Sequence, residues 1–363
     1  MKPDKVTSSN KMSESLVRNA VDFLERSVDE LKDSPKYAVI DFCTAIELFL
    51  KARLLLEHWA LVYEDPKLAN QDKFREGNFK SVGMMEAIAR LKNISGQGIS
   101  DEPKKVFEQI RDHRNRLVHF FHPAYANDPD PATVGEVTAE QCRAWFHLYP
   151  LISRTWQSHF APYVSDFERI NGKMHGNRSF LRVKYDARSK DLERGKAKGV
   201  VFESCWFCGF EAMRKTVIAG PLLSIHCLVC ETAAQGIGLK CPACGVSPSG
   251  LIGHVCWKCS RPIILEEVLD EFAPSRQLGQ GTSEENRALC GNYDCLQSFQ
   301  EADGYRQSVV LFNNEWVCLL CFAVDEDTWN CTKCGRTVAG EFNGPLCFEC
   351  DLHVWPPMFG GIM

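Results

Sequence analysis

Residues 205–230 read CWFCGFEAMRKTVIAGPLLSIHCLVC, two Cys-x-x-Cys knuckles separated by 18 residues. Two residues between cysteines let a tight turn aim both sulfurs at one ion, and two such knuckles complete a tetrahedral thiolate set. The pattern continues along the chain. Cys205, Cys208, Cys227, Cys230, Cys241, Cys244, Cys256 and Cys259 form a first unit. Cys290, Cys295, Cys318, Cys321, Cys331, Cys334, Cys347 and Cys350 form a second. The gaps are 2, 18, 2, 10, 2, 11 and 2 residues in the first and 4, 22, 2, 9, 2, 12 and 2 in the second. Corresponding cysteines are offset by 85 to 91 residues, and the wording repeats: Cys227-Leu-Val-Cys230 beside Cys318-Leu-Leu-Cys321, Cys241-Pro-Ala-Cys244-Gly beside Cys331-Thr-Lys-Cys334-Gly. This is the signature of a duplicated module.

Sixteen of the 18 cysteines lie in this repeat. The chain opens MKPDKVTSSN, which lacks the apolar h-region of a secretory signal. The expectation is a cytoplasmic protein in which clustered thiols bind metal rather than pair as disulfides. Four structural zinc sites are expected, because four thiolates leave zinc no open position and no histidine or carboxylate replaces a cysteine. Iron–sulfur clusters are the alternative that cysteine ligation alone leaves open. Consecutive knuckles give the simplest pairing; a cross-braced one, first with third and second with fourth, also satisfies the spacing. Cys43 and Cys142 fall outside the pattern and read as buried thiols. Trp206, Trp257, Trp316, Trp329 and Trp355 either form the small core around the metal or stack on bases.

Upstream the chain is helical. With 45% hydrophobic and 25% charged residues, wholesale disorder is excluded. The apolar stretch from Phe42 to Tyr63 is broken by Glu47, Lys51, Arg53 and Glu57, so no membrane span is expected. Residues 1–12 read as a disordered leader and Ser13 as an N-cap, followed by an apolar stripe at Leu16, Val17, Ala20, Val21, Leu24 and Val28. Ser34-Pro35 opens a second helix, apolar on much of its circumference and suited to the centre of a bundle. Residues 64–80 read as a loop, with helices over 81–93, 103–121 and 137–163 and another from Val164. Residues 171–199 carry nine Lys or Arg against three acids and read as a basic linker, either a solvated tether or an RNA-contacting arm. The expected domains are 13–170, helical; 171–199, linker; and two double zinc-ribbon modules, 200–265 and 286–356, rich in β structure and loops. The net charge of −5 becomes −13 once sixteen thiolates and four Zn²⁺ add −8, so any nucleic-acid contact must come from a local basic patch.

Residues 111–122 read RDHRNRLVHFFH. On a helical wheel Val106, Phe107, Ile110, Leu117 and Phe121 form one apolar stripe, and Arg114 falls within about 40° of its centre at about 100° per residue. A charge there is costly unless it pairs or faces a polar cleft. Asn115 and His119 share the polar face. Arg116 and His122 fit a looser spacing of the same residue types. Tyr125 and Asp128 follow in a turn that could line a cleft.

Arg114-Asn115-x-x-x-His119 resembles the R-N-x-x-x-H form of the Rx4-6H motif of HEPN domains. The preceding helices, with Ala45-Ile46-Glu47-Leu48 and Lys51-Ala52, are similar to that family over roughly residues 13–165. The resemblance implies an all-α, HEPN-like bundle that dimerises and brings two motifs into one cleft, and a metal-independent endoribonuclease of phage defence, toxin–antitoxin or RNA processing. It implies His119 as general acid or base, Arg114 as holder of the scissile phosphate and Asn115 as an orienting group, with 2′,3′-cyclic phosphate products. The subgroup regulated by nucleotidyltransferase antitoxins has tyrosine where this chain has Phe121. RNA, a second copy of the chain and a protein partner or antitoxin are the implied partners. The rival readings are a zinc-ribbon adaptor dimerised by its helices, and a nucleic-acid-binding regulator acting through Arg182, Lys184 and Arg188.

Overall fold

The stripe that begins at Leu16 has no helix breaker on its N-terminal side until Pro3, and the helix runs through the whole of that stretch. In the computed structural model, α1 spans Asp4–Glu30 and α2 spans Pro35–Glu57. The structure describes residues 4–96, 98–125, 131–238, 240–246, 256, 258–262, 287–292, 295, 308–312, 314–340, 344–348 and 350, and side chains from Lys11 onward. The expected leader is therefore helical from Asp4. Ser13 is no N-cap; it is buried in mid-helix, where its hydroxyl donates to the Ala52 carbonyl at 3.3 Å. A small residue there lets α1 and α2 pack as an antiparallel pair. Pro35 does open α2, where its missing N–H costs nothing.

The chain divides into two compact units, residues 1–189 and 190–363. In the first, α2 is the central helix, buried on nearly every side as its composition requires. Around it lie α3 (Gln71–Arg75), α4 (Met84–Arg90), α5 (Asp101–His119), α6 (Pro131–Pro150), α7 (Gln157–Phe160), α8 (Val164–His175) and α9 (Arg178–Ala187). Phe49 of α2 meets the rings of Phe160 and Phe167 at 6.0 and 5.7 Å. The expected helix over 137–163 is interrupted. Pro150 removes a backbone donor, and a π turn at Leu151–Thr155 follows it. The polar segment before α4 is also folded. Tyr63 bridges to Ser81, and the Arg90 guanidinium donates to the carbonyls of Leu61 and Glu64 at 2.8 and 2.7 Å.

The stretch 171–199 departs from the expected tether. It contains the end of α8, all of α9 and α10 (Ser189–Ala197). Phe180 and Leu181 of α9 are buried, and so is Lys184, whose ammonium donates to His175 Nε2 at 2.9 Å. Charge counting missed this because the apolar residues recur at helical spacing among the cations. Lys173 pairs with Glu25 and Asp29 at 2.8 Å, and Arg182 with Asp186 at 3.2 Å. Lys196 of α10 pairs with Glu211 at 3.2 Å. The local excess of +6 is thus partly neutralised, and Lys184 is not displayed to a polyanion.

In the cysteine unit, β1 (Glu203–Ser204), β2 (Glu211–Ala219), β3 (Leu222–Cys227) and β4 (Ala233–Ile237) form an antiparallel sheet in that order. A second sheet joins β5 (Arg287–Cys290), β6 (Val309–Phe312), β7 (Glu315–Cys318), β8 (Val324–Asp325), β9 (Thr328–Asn330) and β10 (Thr337–Ala339) in the order β8-β7-β6-β5-β10-β9. The β6–β7 hairpin repeats β2–β3, each running into a knuckle. The repeats also pack on each other through Ala219, Leu222, Ile237, Val310, Val317 and Leu319. Gly220 turns β2 into β3 with φ +49°, and a Cβ there would strike the Phe312 ring. No described helix is long and apolar enough to cross a membrane.

Candidate functional site

Six of the seven Cys-x-x-Cys knuckles are shaped by the same backbone bond. The N–H of the residue after the second cysteine donates to the carbonyl of the first: Gly209 to Cys205 at 2.7 Å, Glu231 to Cys227 at 3.0 Å, Gly245 to Cys241 at 2.7 Å. Ser260 to Cys256, Phe322 to Cys318 and Gly335 to Cys331 repeat the bond at 2.8, 3.0 and 2.8 Å. All six donors have positive φ, between 60° and 75°. Three are glycine; the other three carry a side chain in a conformation that costs about 1–2 kcal/mol per residue. The same turn thus recurs six times among the described knuckles, in both repeats.

The turns gather the sulfurs into four sets from consecutive knuckles: Cys205, Cys208, Cys227 and Cys230; Cys241, Cys244, Cys256 and Cys259; Cys290, Cys295, Cys318 and Cys321; Cys331, Cys334, Cys347 and Cys350. Cross-bracing is excluded. Within each set all four Sγ atoms lie within 4.8 Å of one another, and close pairs are 3.6 to 3.8 Å apart. A tetrahedron with sulfurs about 2.3 Å from zinc has edges of about 3.8 Å. Every one of these cysteines is free of a disulfide. The sets fit four structural zinc sites and are too tight to enclose a cluster of several irons. Second partners support the thiolates: Val229 N–H donates to Cys227 at 3.4 Å and Cys347 N–H to Cys331 at 3.2 Å. The first set is wholly buried, whereas Cys259 and Cys334 expose the second and fourth to solvent. Trp316 and Trp329 pack on the core around the third and fourth sets. Trp206 is half-buried, while Trp257, Trp355 and Asp128 lie outside the described residues. Phe207, at a knuckle tip, is the exposed aromatic that sequence reading passed over.

In the helical unit, α5 presents its motif in two parts. Val106, Phe107 and Ile110 anchor the helix to the core. Arg114 and Asn115 are half-buried, and the Arg114 guanidinium donates to the Asn115 side-chain oxygen at 3.0 Å. Both line a cavity of about 290 Å³ with Arg111, Glu47, Cys43 and residues 83–86. Arg114 thus both hydrogen-bonds a neighbour and lines a polar cavity, the conditions under which a charge so near the apolar stripe is tolerated. Burial pushes the Cys43 thiol up to about 12, so it stays protonated in that wall, and Cys142 is raised likewise. His119 ends α5, is exposed and does not line the cavity. Phe121 leaves the apolar stripe because the helix has stopped; Val118, Phe120 and Phe121 are 49, 91 and 53% exposed.

His122 behaves otherwise. It is buried, and its Nδ1 accepts the Ala124 N–H at 3.1 Å. That bond fixes its proton on Nε2, which donates to His113 Nδ1 at 2.7 Å. His113 in turn carries its proton on Nε2, against the Glu140 carboxylate. Burial holds His122 below its ordinary value, His113 and Arg116 add to this, and Glu140 opposes them. Burial also pushes the neighbouring Tyr125 hydroxyl up to about 12. The chain of bonds ties the turn after His119 to α5 and α6; of the looser Arg116–His122 register, Arg116 is exposed and His122 is buried. His113 and His122, nine residues apart, were the sequence signal for this relay, and Glu140 had none.

No protein-family model, curated protein or solved structure matches this chain.

Proposed function

We propose that the helical unit is a HEPN-type, metal-independent endoribonuclease, and that the zinc-binding half holds RNA or a partner for it. The observation that carries this is the division of α5. Arg114 and Asn115 face a cavity that also holds Arg111, while His119 is exposed one turn from Asn115 among Val118, Phe120 and Phe121. Such an uncovered apolar rim calls for a cover, and a second copy of the chain would supply one together with a second Arg114 and His119.

The chemistry follows from the residue types. Guanidinium groups hold a phosphodiester and stabilise the charge that builds on it. The 2′-oxygen attacks phosphorus as a histidine accepts the 2′-hydroxyl proton; the bond to the 5′-oxygen breaks and that oxygen takes up a proton from a general acid. The products are a 2′,3′-cyclic phosphate and a 5′-hydroxyl. Zinc supplies no step of this reaction; its sixteen thiolate ligands hold the fold of the other half.

The test is cleavage of a mixed RNA pool by zinc-loaded protein without added divalent metal, beside His119→Ala of equal zinc content. The reading expects cyclic-phosphate ends from the unaltered protein alone. Equal cleavage by both removes His119 from the site. RNA bound but intact in both favours a second reading, a zinc-ribbon binding module, which the exposed Phe207, Lys258 and Lys333 at the knuckle tips support.

A further inference from the structure

On the flank of α2, a second cavity of about 400 Å³ lies between α1, α2 and the folded segment before α4. Leu16 of α1, Leu48 and Leu55 of α2, and Val62, Phe74 and Phe79 of that segment form its wall. The wall is held rigidly. Phe79 stacks on Tyr63 with centroids 4.3 Å apart, and Phe74 lies 5.6 Å from Phe79 and 5.4 Å from Trp59. Arg90 pins the segment from beneath through the Leu61 and Glu64 carbonyls. A volume of this size, lined mostly by apolar groups with a few polar ones placed together, is the form of a small-molecule site.

The polar groups define the ligand. Lys51 lines the cavity, its side chain only 16% exposed, and donates to the Ser81 hydroxyl at 3.1 Å. The nearest carboxylate, Glu47 one turn earlier on α2, lies outside the cavity lining and is 3.8 Å away, the long limit of an ion pair. Lys51 therefore keeps donors for a closer anion, and the Ser81 hydroxyl, accepting from Lys51, has its own proton to give the same anion. A charged head on an apolar wall selects an amphipathic anion.

We propose that this cavity binds a small apolar carboxylate, of the medium-chain fatty-acid type, with its carboxylate on Lys51 and Ser81 and its chain along Leu16, Leu48 and Phe79. The site does not depend on RNA cleavage, and its test contains no RNA.

Decanoate is titrated into the full zinc-loaded chain by calorimetry, beside decylammonium, which has the same chain and the opposite charge. Lys51→Met is titrated in parallel after its thermal unfolding has been matched to that of the unaltered protein. Saturable decanoate binding at one site per chain is expected, with no decylammonium binding and at least about tenfold weaker decanoate binding to Lys51→Met. The absence of saturable decanoate binding overturns the proposal. So does equal affinity for decanoate and decylammonium, a comparison that needs no variant to fold.

Discussion

The two halves of the chain solve the stability problem by different means. The helical unit has a continuous core from Val17 to Phe180 in which α2 is enclosed on nearly all sides. Among the described residues, the cysteine unit has smaller apolar clusters, one of them built largely of the cysteines themselves. Burying apolar area can hold the first; strands of 2 to 9 residues around such clusters cannot hold the second without a ligand. One half is therefore sensitive to the size of its core side chains, the other to its metal.

Removing a ligand from a buried set breaks the metal-held half most severely. Structural zinc contributes about 10–16 kcal/mol of apparent binding energy in small domains. Cys318→Ser should lower the zinc content by one ion and abolish the protection from hydrogen exchange of β6 and β7, while the helical unit unfolds at its usual temperature. In the core-held half the comparable change is Phe49→Ala, which leaves a cavity facing Phe160 and Phe167. It should cost about 3–5 kcal/mol in the helical transition, measured by denaturant unfolding, without altering zinc content.

The halves also differed in how much could be read from sequence. Cysteine spacing is a direct record of ligand geometry, and all sixteen thiols fall where the knuckles place them. What spacing left open was pairing, because consecutive and cross-braced schemes use the same turns; the tertiary path of β2–β3 and β6–β7 decides it. In the helical half, the centrality of α2 was legible from its all-round apolarity and Pro35. The start of α1 was not, since polar residues 4–12 give no periodic signal. In residues 171–199 nine cations mask the helical period, although Phe180, Leu181 and Lys184 form one buried face of α9. At the candidate site, Arg114 and Asn115 were legible as a polar pair needing a cleft. Glu47 and Glu140, on other helices, were not, because no local pattern links residues that meet only after folding.

A third, smaller effect sharpens the contrast by pH. His122 has a depressed pKa in the folded chain, with burial the leading cause. The unfolded chain therefore binds this proton more readily. The stabilising contribution is complete above the unfolded value of about 6.5 and is lost as pH falls through that value toward the folded one. His147 and His159 are depressed by burial too and add to the slope. Thermal unfolding of the helical unit should weaken between about pH 7 and pH 5, and His122→Gln should flatten part of that dependence. A slope unchanged in the variant would remove His122 as a cause.

The smallest effect lies in the knuckles. Ser260 is exposed and held at φ 60°, at a position that Gly209, Gly245 and Gly335 fill in three of the other turns. Ser260→Gly should stabilise the second cysteine set by about 1 kcal/mol, read as slower zinc release to a competing chelator.

The most direct measurement is a chelator titration of the whole chain, with released zinc counted and unfolding of each half followed at every step. Four zinc ions per chain should be released, first from the sets exposed at Cys259 and Cys334 and last from the buried set of Cys205. The cysteine half should lose its structure as they leave, and the helical half should keep its own cooperative transition. Fewer than four ions, a cysteine half that stays folded without metal, or a helical half that unfolds with zinc loss would contradict the account.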